Sequence, residues 1–208
     1  MANWCFSTTI IFGDKKQLEI LKKDFDNSLS NNPKFKKVKT DFGNYWLGNI
    51  FLGAGYSLEE VLDYNIIYCR GEICDYHFEE EHITFNYESA NRPIYKYIDK
   101  MLKEKYPGLK QVTISEEPGF EIFINTDTEG LFFKDKYYLD CCINERYPDF
   151  RYFETEKEFV EYFNDFFGTS FNSYKEIDKN LSEISEKYEE DDSFFVQINT
   201  FAEVYEEW

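Results

Sequence analysis

Histidine is nearly absent from this 208-residue chain, with His77 and His82 the only two. Chemistry that needs an imidazole base or ligand has one short stretch to draw on. Cysteine offers little more. Cys5, Cys69, Cys74, Cys141 and Cys142 are an odd count with no C-x-x-C pair, which argues against zinc ribbons, iron–sulfur clusters and a disulfide framework. Reduced thiols in a cytoplasm are the expectation. No apolar run approaches the roughly 18 residues of a membrane span, and residues 1–12 lack the basic start of a signal peptide. The glycines of 48–55 (GNIFLGAG) are not followed by Lys-Ser/Thr, so they make no phosphate loop. Basic residues are outnumbered, 23 against 41 acidic, for a net charge of −18. That deficit argues against binding a nucleic-acid backbone or an anionic membrane.

What the chain does have is aromatic mass. Twenty-two Phe and 17 Tyr in a 42% hydrophobic sequence are ample for a core, which excludes global disorder. The acid is concentrated late: residues 145–208 carry 6 basic and 18 acidic groups, a net of −12. The expected organisation is a core over 1–144 and an acidic, largely helical extension over 145–208 that ends in a strand returning to a sheet.

Along the chain, Trp4, Phe6, Thr8, Ile10 and Phe12 alternate with Asn3, Cys5, Ser7 and Thr9, the period of a strand. Asp14 with Gln17 starts a helix with Leu18, Leu21, Phe25 and Leu29 as its stripe. Ser57 with Glu60 caps another. A hairpin over 65–88 turning at Glu79-Glu80 pairs Tyr76 with Ile83 and Cys74 with Phe85. It sets Cys74, Tyr76, Phe78, Ile83, Phe85 and Tyr87 on one face, with Asp75, His77, His82, Thr84 and Asn86 on the other. Asn91 and Pro93 open a helix bearing Ile94, Tyr97, Ile98, Met101 and Leu102. Strands are expected over 109–116, 120–125, 131–142 and 193–205. Helices are expected from Thr155/Glu158, closed by Gly168, and from Ser173/Glu176, bearing Ile177, Leu181, Ile184 and Tyr188. The order β-α-β-β-α-β over 1–116 predicts an α+β fold, a ferredoxin-like antiparallel sheet with additional strands.

The opening MANWC, Gly13-Asp14, Leu47-Gly48-Asn49, Cys69–Ile73, Lys105–Leu109, Glu116–Gly119, Thr126–Gly130, Tyr137–Asp140 and Tyr152–Thr155 occur in that order. Over residues 1 to 155 this set resembles the YubB-type (Api-like) ferredoxin-like proteins of plasmids, phages and some gut-type bacterial genomes. Phe6 departs from the pattern, which has a small polar residue after the cysteine. The resemblance implies the fold and a mobile-element origin. The family has no established activity, so no catalytic residue is carried over.

Three sets of residues are candidates for chemistry. His77 and His82, read as cross-strand neighbours with Asp75 beside them, have the ligand types of a zinc site, or are the solvated side of a hairpin. Lys34, Lys36, Lys37 and Lys39 precede an aromatic insertion, with Tyr45, Trp46 and Tyr56 as candidate contacts, that either binds or packs over the sheet. Glu183, Glu186, Glu189, Glu190, Asp191 and Asp192 form an acidic face able to imitate a phosphate array. Cys5, lacking a histidine base, reads as a buried structural thiol. Glu116-Glu117 before Pro118-Gly119 reads as a solvated turn. The expectation is a cytoplasmic, non-enzymatic interaction protein without a cofactor. Its partner would be a protein, such as a basic nucleic-acid-processing or defence protein, with no direct nucleic acid or membrane contact. The alternative is an enzyme with a carboxylate/histidine site.

Overall fold

The computed structural model describes residues 3–29, 38, 40–143, 149–188 and 193–204. It is a mixed α+β structure whose contacts divide it into two compact units, residues 1–126 and 127–204. The division falls before the boundary expected at 144, because the strand over 137–142 pairs with later strands and not with the first sheet.

In the first unit, strands β1 (Trp4–Gly13), β2 (Gly71–Phe78), β3 (His82–Ala90), β4 (Leu109–Glu117) and β5 (Ile122–Asn125) form one sheet in the order β2-β3-β1-β4-β5. Each adjacent pair is antiparallel. Helix α1 (Lys15–Leu29) begins where the Asp14 carboxylate accepts the Gln17 N–H at 3.0 Å. It buries Leu18, Leu21, Phe25 and Leu29. Helices α2 (Gly48–Gly53) and α3 (Leu58–Leu62) follow, the latter held by a reciprocal Ser57/Glu60 capping box. Helix α4 (Tyr95–Lys105) buries Ile98, Met101 and Leu102. These stripes share one core with Ile11, Ile83, Phe85 and Tyr87. Burying each such side chain contributes about 1.5–3 kcal/mol. Two tyrosines at the core margin place their hydroxyls on carboxylates: Tyr106 donates to Asp24 at 2.9 Å and Tyr56 to Glu104 at 2.6 Å.

The face that β1 turns to the helices is its polar one. Cys5, Ser7, Thr9 and Ile11 are buried there, while Phe6 on the opposite, far face is 50% exposed. The hydroxyls are accommodated because they pair across strands: Ser7 with Ser115 at 2.8 Å and Thr9 with Thr113 at 2.6 Å. Cys5 sits at the end of this layer, and burial pushes its thiol up to about 12.

The second unit has a three-stranded antiparallel sheet, β7-β6-β8, of β6 (Tyr137–Cys142), β7 (Asp149–Phe153) and β8 (Phe195–Thr200). Helix α5 (Glu156–Phe167) is capped by Thr155 and Glu158 and stopped by Gly168 at φ 64°. It buries Phe159, Val160, Phe163 and Phe167 against Leu139, Cys141 and Ile198. The helix expected from Ser173 is two, α6 (Tyr174–Lys179) and α7 (Leu181–Lys187), broken at Asn180, whose side chain donates to the Glu176 carbonyl at 2.7 Å. The strand expected from 131 begins only at Tyr137. The backbone N–H groups of Phe132 and Phe133 bind the Asp127 carboxylate at 2.6 and 2.9 Å, so this stretch wraps a side chain and joins no ladder.

Candidate interaction site

The aromatic insertion contributes mainly core. Trp46 and Tyr56 are buried beside Leu47, Ile50 and Phe51 in the helix-side core. The Trp46 ring lies so close to Gly48 that a Cβ there would overlap it. Trp46 also bridges to Glu72, and the Leu47 N–H bonds the Gly71 carbonyl at 3.0 Å, pinning the insertion to the edge of β2. Of the three candidate contacts, Tyr45 alone is exposed. Lys34, Lys36, Lys37 and Lys39 lie outside the described residues.

The hairpin register differs from the expected one. Phe78 pairs with Ile83 and Tyr76 with Phe85, and the Glu79 N–H bonds the His82 carbonyl, so the turn is at Glu80-Glu81, one residue later than expected. Residues 79–81 are all glutamate, so the sequence carries no mark of which two of them form the turn. His77 therefore stands opposite Thr84 and His82 opposite Phe12, not opposite each other. His77 Nε2 lies 2.7 Å from Asp75 Oδ2, and His82 Nε2 lies 3.5 Å from Glu79 Oε1. Among the described residues, no three His, Cys, Asp or Glu side chains are placed to hold a metal ion. A groove of about 200 Å³ lies between α1 and the hairpin tip, with Leu18, Phe78 and Ile83 among its lining. Lys15 bridges to Glu80 at 2.9 Å, and Lys22 sits 5.0 Å from the Phe78 ring centre.

A β-bulge between Ile73 and Asp75 makes the second departure. It leaves Ile73 in the core and turns Cys74 out, where the sequence alternation had placed Cys74 beside Tyr76 and Phe78. Burial, then the charges of Glu88 and Glu72, push the Cys74 thiol up to about 11.

The far face of the sheet holds a row that sequence reasoning missed. Glu72 on β2 pairs with Glu88 on β3, Glu88 with Phe6 on β1, and Phe6 with Glu116 on β4. The ring of Phe6 thus has a carboxylate-bearing residue on each side, and a third lies one strand beyond. The signal in the sequence was Phe6 itself, an aromatic in the first strand, but reading the row requires the pairing of four strands separated by up to 110 positions.

On α7, Glu183 and Glu186 are exposed while Ile184 points inward. Glu189, Glu190, Asp191 and Asp192 lie outside the described residues. Elsewhere in the second unit, burial and the nearby charge of Glu154 raise Asp135, and burial raises Asp140 despite a 3.4 Å hydrogen bond from the Tyr138 hydroxyl. A further surface missed at the sequence level is apolar: Leu58, Leu62, Tyr64 and Ile66 are each 40–50% exposed in and just after α3. The Cys5 thiol is buried, and the Glu117 carboxylate caps the Pro118–Phe120 turn by accepting the Gly119 and Phe120 N–H groups, so neither is presented as a reacting group.

No helix among the described residues is long and apolar enough to cross a membrane. Comparison with protein-family models, curated proteins and solved structures returned no match.

Proposed function

We propose that this chain is a non-enzymatic interaction protein of mobile-element type that engages a basic nucleic-acid-processing or defence protein in the cytoplasm through acidic contacts. The observation that carries the reading is the charge imbalance, −12 over residues 145–208, with Glu183 and Glu186 exposed on α7 above a buried Ile184. Carboxylates held on a folded element attract a basic groove over a Debye length, about 8 Å at physiological salt, and speed the encounter. The ferredoxin-like identity of the core belongs to the same proposal. It is supported by the strand order β2-β3-β1-β4 and by α1 and α4 sharing one core. The YubB-type kinship rests on the ordered motifs, and five cysteines with no disulfide among them support a reducing compartment.

The test is reversal of Glu183, Glu186, Glu189, Glu190, Asp191 and Asp192 to lysine, with the partner captured from a native host lysate at rising salt. Capture should be abolished by the reversal and weakened stepwise by salt. Capture unchanged by the reversal at about 150 mM salt would overturn the acidic-contact reading.

A second reading, an enzyme with a carboxylate/histidine site, is favoured by the 2.7 Å contact of His77 with Asp75. Stoichiometric zinc or manganese in the purified protein would support it.

A further inference from the structure

Sheet edges carry unpaired N–H and C=O groups that invite another strand, and natural proteins blunt them with charge, bulges or short length. Here the edge of β2 is bridged by Trp46, carries Glu72 and Asp75, and bulges between Ile73 and Asp75. Edge strand β5 is four residues long, and β7 carries Arg151. Strand β8 has none of these devices. Its six residues, FVQINT, hold no charge, proline or glycine. No register shift interrupts its pairing with β6, and no strand lies beyond it among the described residues.

The groups that β8 offers follow from that pairing. The Phe201 N–H donates to the Lys136 carbonyl at 2.9 Å, one step beyond Thr200 opposite Tyr137. Directions alternate along an antiparallel strand, so Phe195, Gln197 and Asn199 turn their N–H and C=O groups to β6. Val196, Ile198 and Thr200 turn theirs outward. The side chains of Val196 and Ile198 pack in the α5 core. Gln197 and Asn199 stand on the opposite face, across from Asp140 and Tyr138. The Asn199 Nδ2 donor is buried there with no acceptor among the described residues.

Residues 195–201, FVQINTF, have the same chemistry read in either direction. About Ile198, the amide of Gln197 mirrors that of Asn199, β-branched Val196 mirrors Thr200, and Phe195 mirrors Phe201. An antiparallel pairing about a two-fold axis sets each residue opposite its mirror, so it calls for that symmetry. Ile198 then meets Ile198 and Val196 meets Thr200, each pair exchanging both backbone bonds. Gln197 of one copy falls opposite Asn199 of the other, bringing a side-chain carbonyl to the buried Nδ2 donor.

We propose that β8 pairs antiparallel with β8 of a second copy of this chain about an axis at Ile198, joining two three-stranded sheets into one. The contact matches neutral with neutral, while the −12 over residues 145–208 of each copy opposes their approach. Salt screens that repulsion and tightens the dimer, whereas it weakens acidic contacts with a basic partner. The two interactions are therefore separable, and neither requires the other.

Sedimentation of the full chain from about 1 μM to about 1 mM should show the mass rising from that of one chain toward that of two. The association should tighten at least twofold between about 50 mM and about 500 mM salt. Thr200→Pro removes an outward N–H and leaves the β6 ladder its bonds, and it should weaken association at least tenfold. A second pair of variants leaves the strand backbone unaltered. Gln197→Cys and Asn199→Cys chains, mixed and mildly oxidised, should form a disulfide joining position 197 to position 199, found by mass spectrometry. These positions form a non-hydrogen-bonded pair with Cα atoms about 4.5 Å apart, within disulfide reach. A chain that stays monomeric at both salt concentrations would overturn the dimer. So would association undiminished by Thr200→Pro, or the absence of the 197–199 link.

Discussion

The Asp127 carboxylate accepts the backbone N–H of Phe132 at 2.6 Å, and the same oxygen accepts that of Phe133 at 2.9 Å. Burial raises the pKa of Asp127, but bonds from the N–H groups of Phe133, Phe132, Leu131 and Gly130 outweigh it and hold the group below the usual carboxylate range. A depressed folded-state pKa gives stability that is present above the unfolded value of about 3.9 and is lost as pH falls through the folded one. Asp127→Asn should therefore cost about 1–3 kcal/mol at neutral pH, with the difference from the native chain shrinking below about pH 4. Urea unfolding at pH 7 and pH 3 checks it. An equal loss at both values would show that charge is not what the loop requires.

Asp140 has the opposite sign. Burial raises it and the Tyr138 hydroxyl only partly offsets this, so its contribution is present below the unfolded pKa and is lost as pH rises through the folded one. Asp140→Asn is expected to raise the melting temperature at pH 7 and leave it nearly unchanged at pH 3. A lower melting temperature at pH 7 would indicate a partner for the carboxylate that burial alone does not reveal.

The hydroxyl layer makes a prediction of its own. Thr9→Val or Thr113→Val breaks a buried 2.6 Å pair and leaves Thr113 with Gln111, or Thr9 with Tyr87, as the remaining partner, at about 0.5–1.5 kcal/mol each. The double variant removes both polar groups together and should lose less than the sum of the singles. Chemical denaturation of the four species measures the coupling, and strict additivity would contradict the pairing.

Cysteine labelling separates the thiols by environment. Cys5 and Cys69 are buried, and burial pushes both up to about 12. In native protein treated with iodoacetamide at pH 8, Cys74 should react ahead of both. Glu88→Gln removes a charge that raises the Cys74 thiol, and it should speed modification of Cys74 without altering Cys5. Site-resolved mass spectrometry reads each rate. An unchanged Cys74 rate would mean that Glu88 does not sense the thiol.

What the sequence disclosed and what it concealed divide along a physical line. Local chemistry was legible: Ser57 with Glu60, and Thr155 with Glu158, cap the helices that their spacing predicts. The stripes of α1 and α4 are buried as read. Facing was harder. Ser7 and Thr9 look like the wet side of β1, yet they lie against the helices because partners more than 70 positions away satisfy their hydroxyls. The bulge beside Cys74 and the one-residue displacement of the turn to Glu80-Glu81 each shift the hairpin pairing, and neither has a glycine to announce it. Strand β7, in DFRYF, went unread because five residues with charge at two of them show too little alternation. Among the candidate contacts, Trp46 and Tyr56 shared the composition of a binding loop and differ from Tyr45 only in burial, which emerges with the packing of α2.

The place of β1 between β3 and β4 has a consequence for how the protein is made. Its first strand is synthesised with neither neighbour yet in existence, and Thr9 meets Thr113 only across 104 intervening positions. At about 5–20 residues per second, a nascent strand would wait about 5–20 s with both edges open. During that interval Trp4, Phe6, Ile10 and Phe12 are exposed with the unpaired backbone that invites association with other chains. Yield in the cell should therefore depend on translation speed and chaperone supply over the first half of the chain, even where the finished fold is secure.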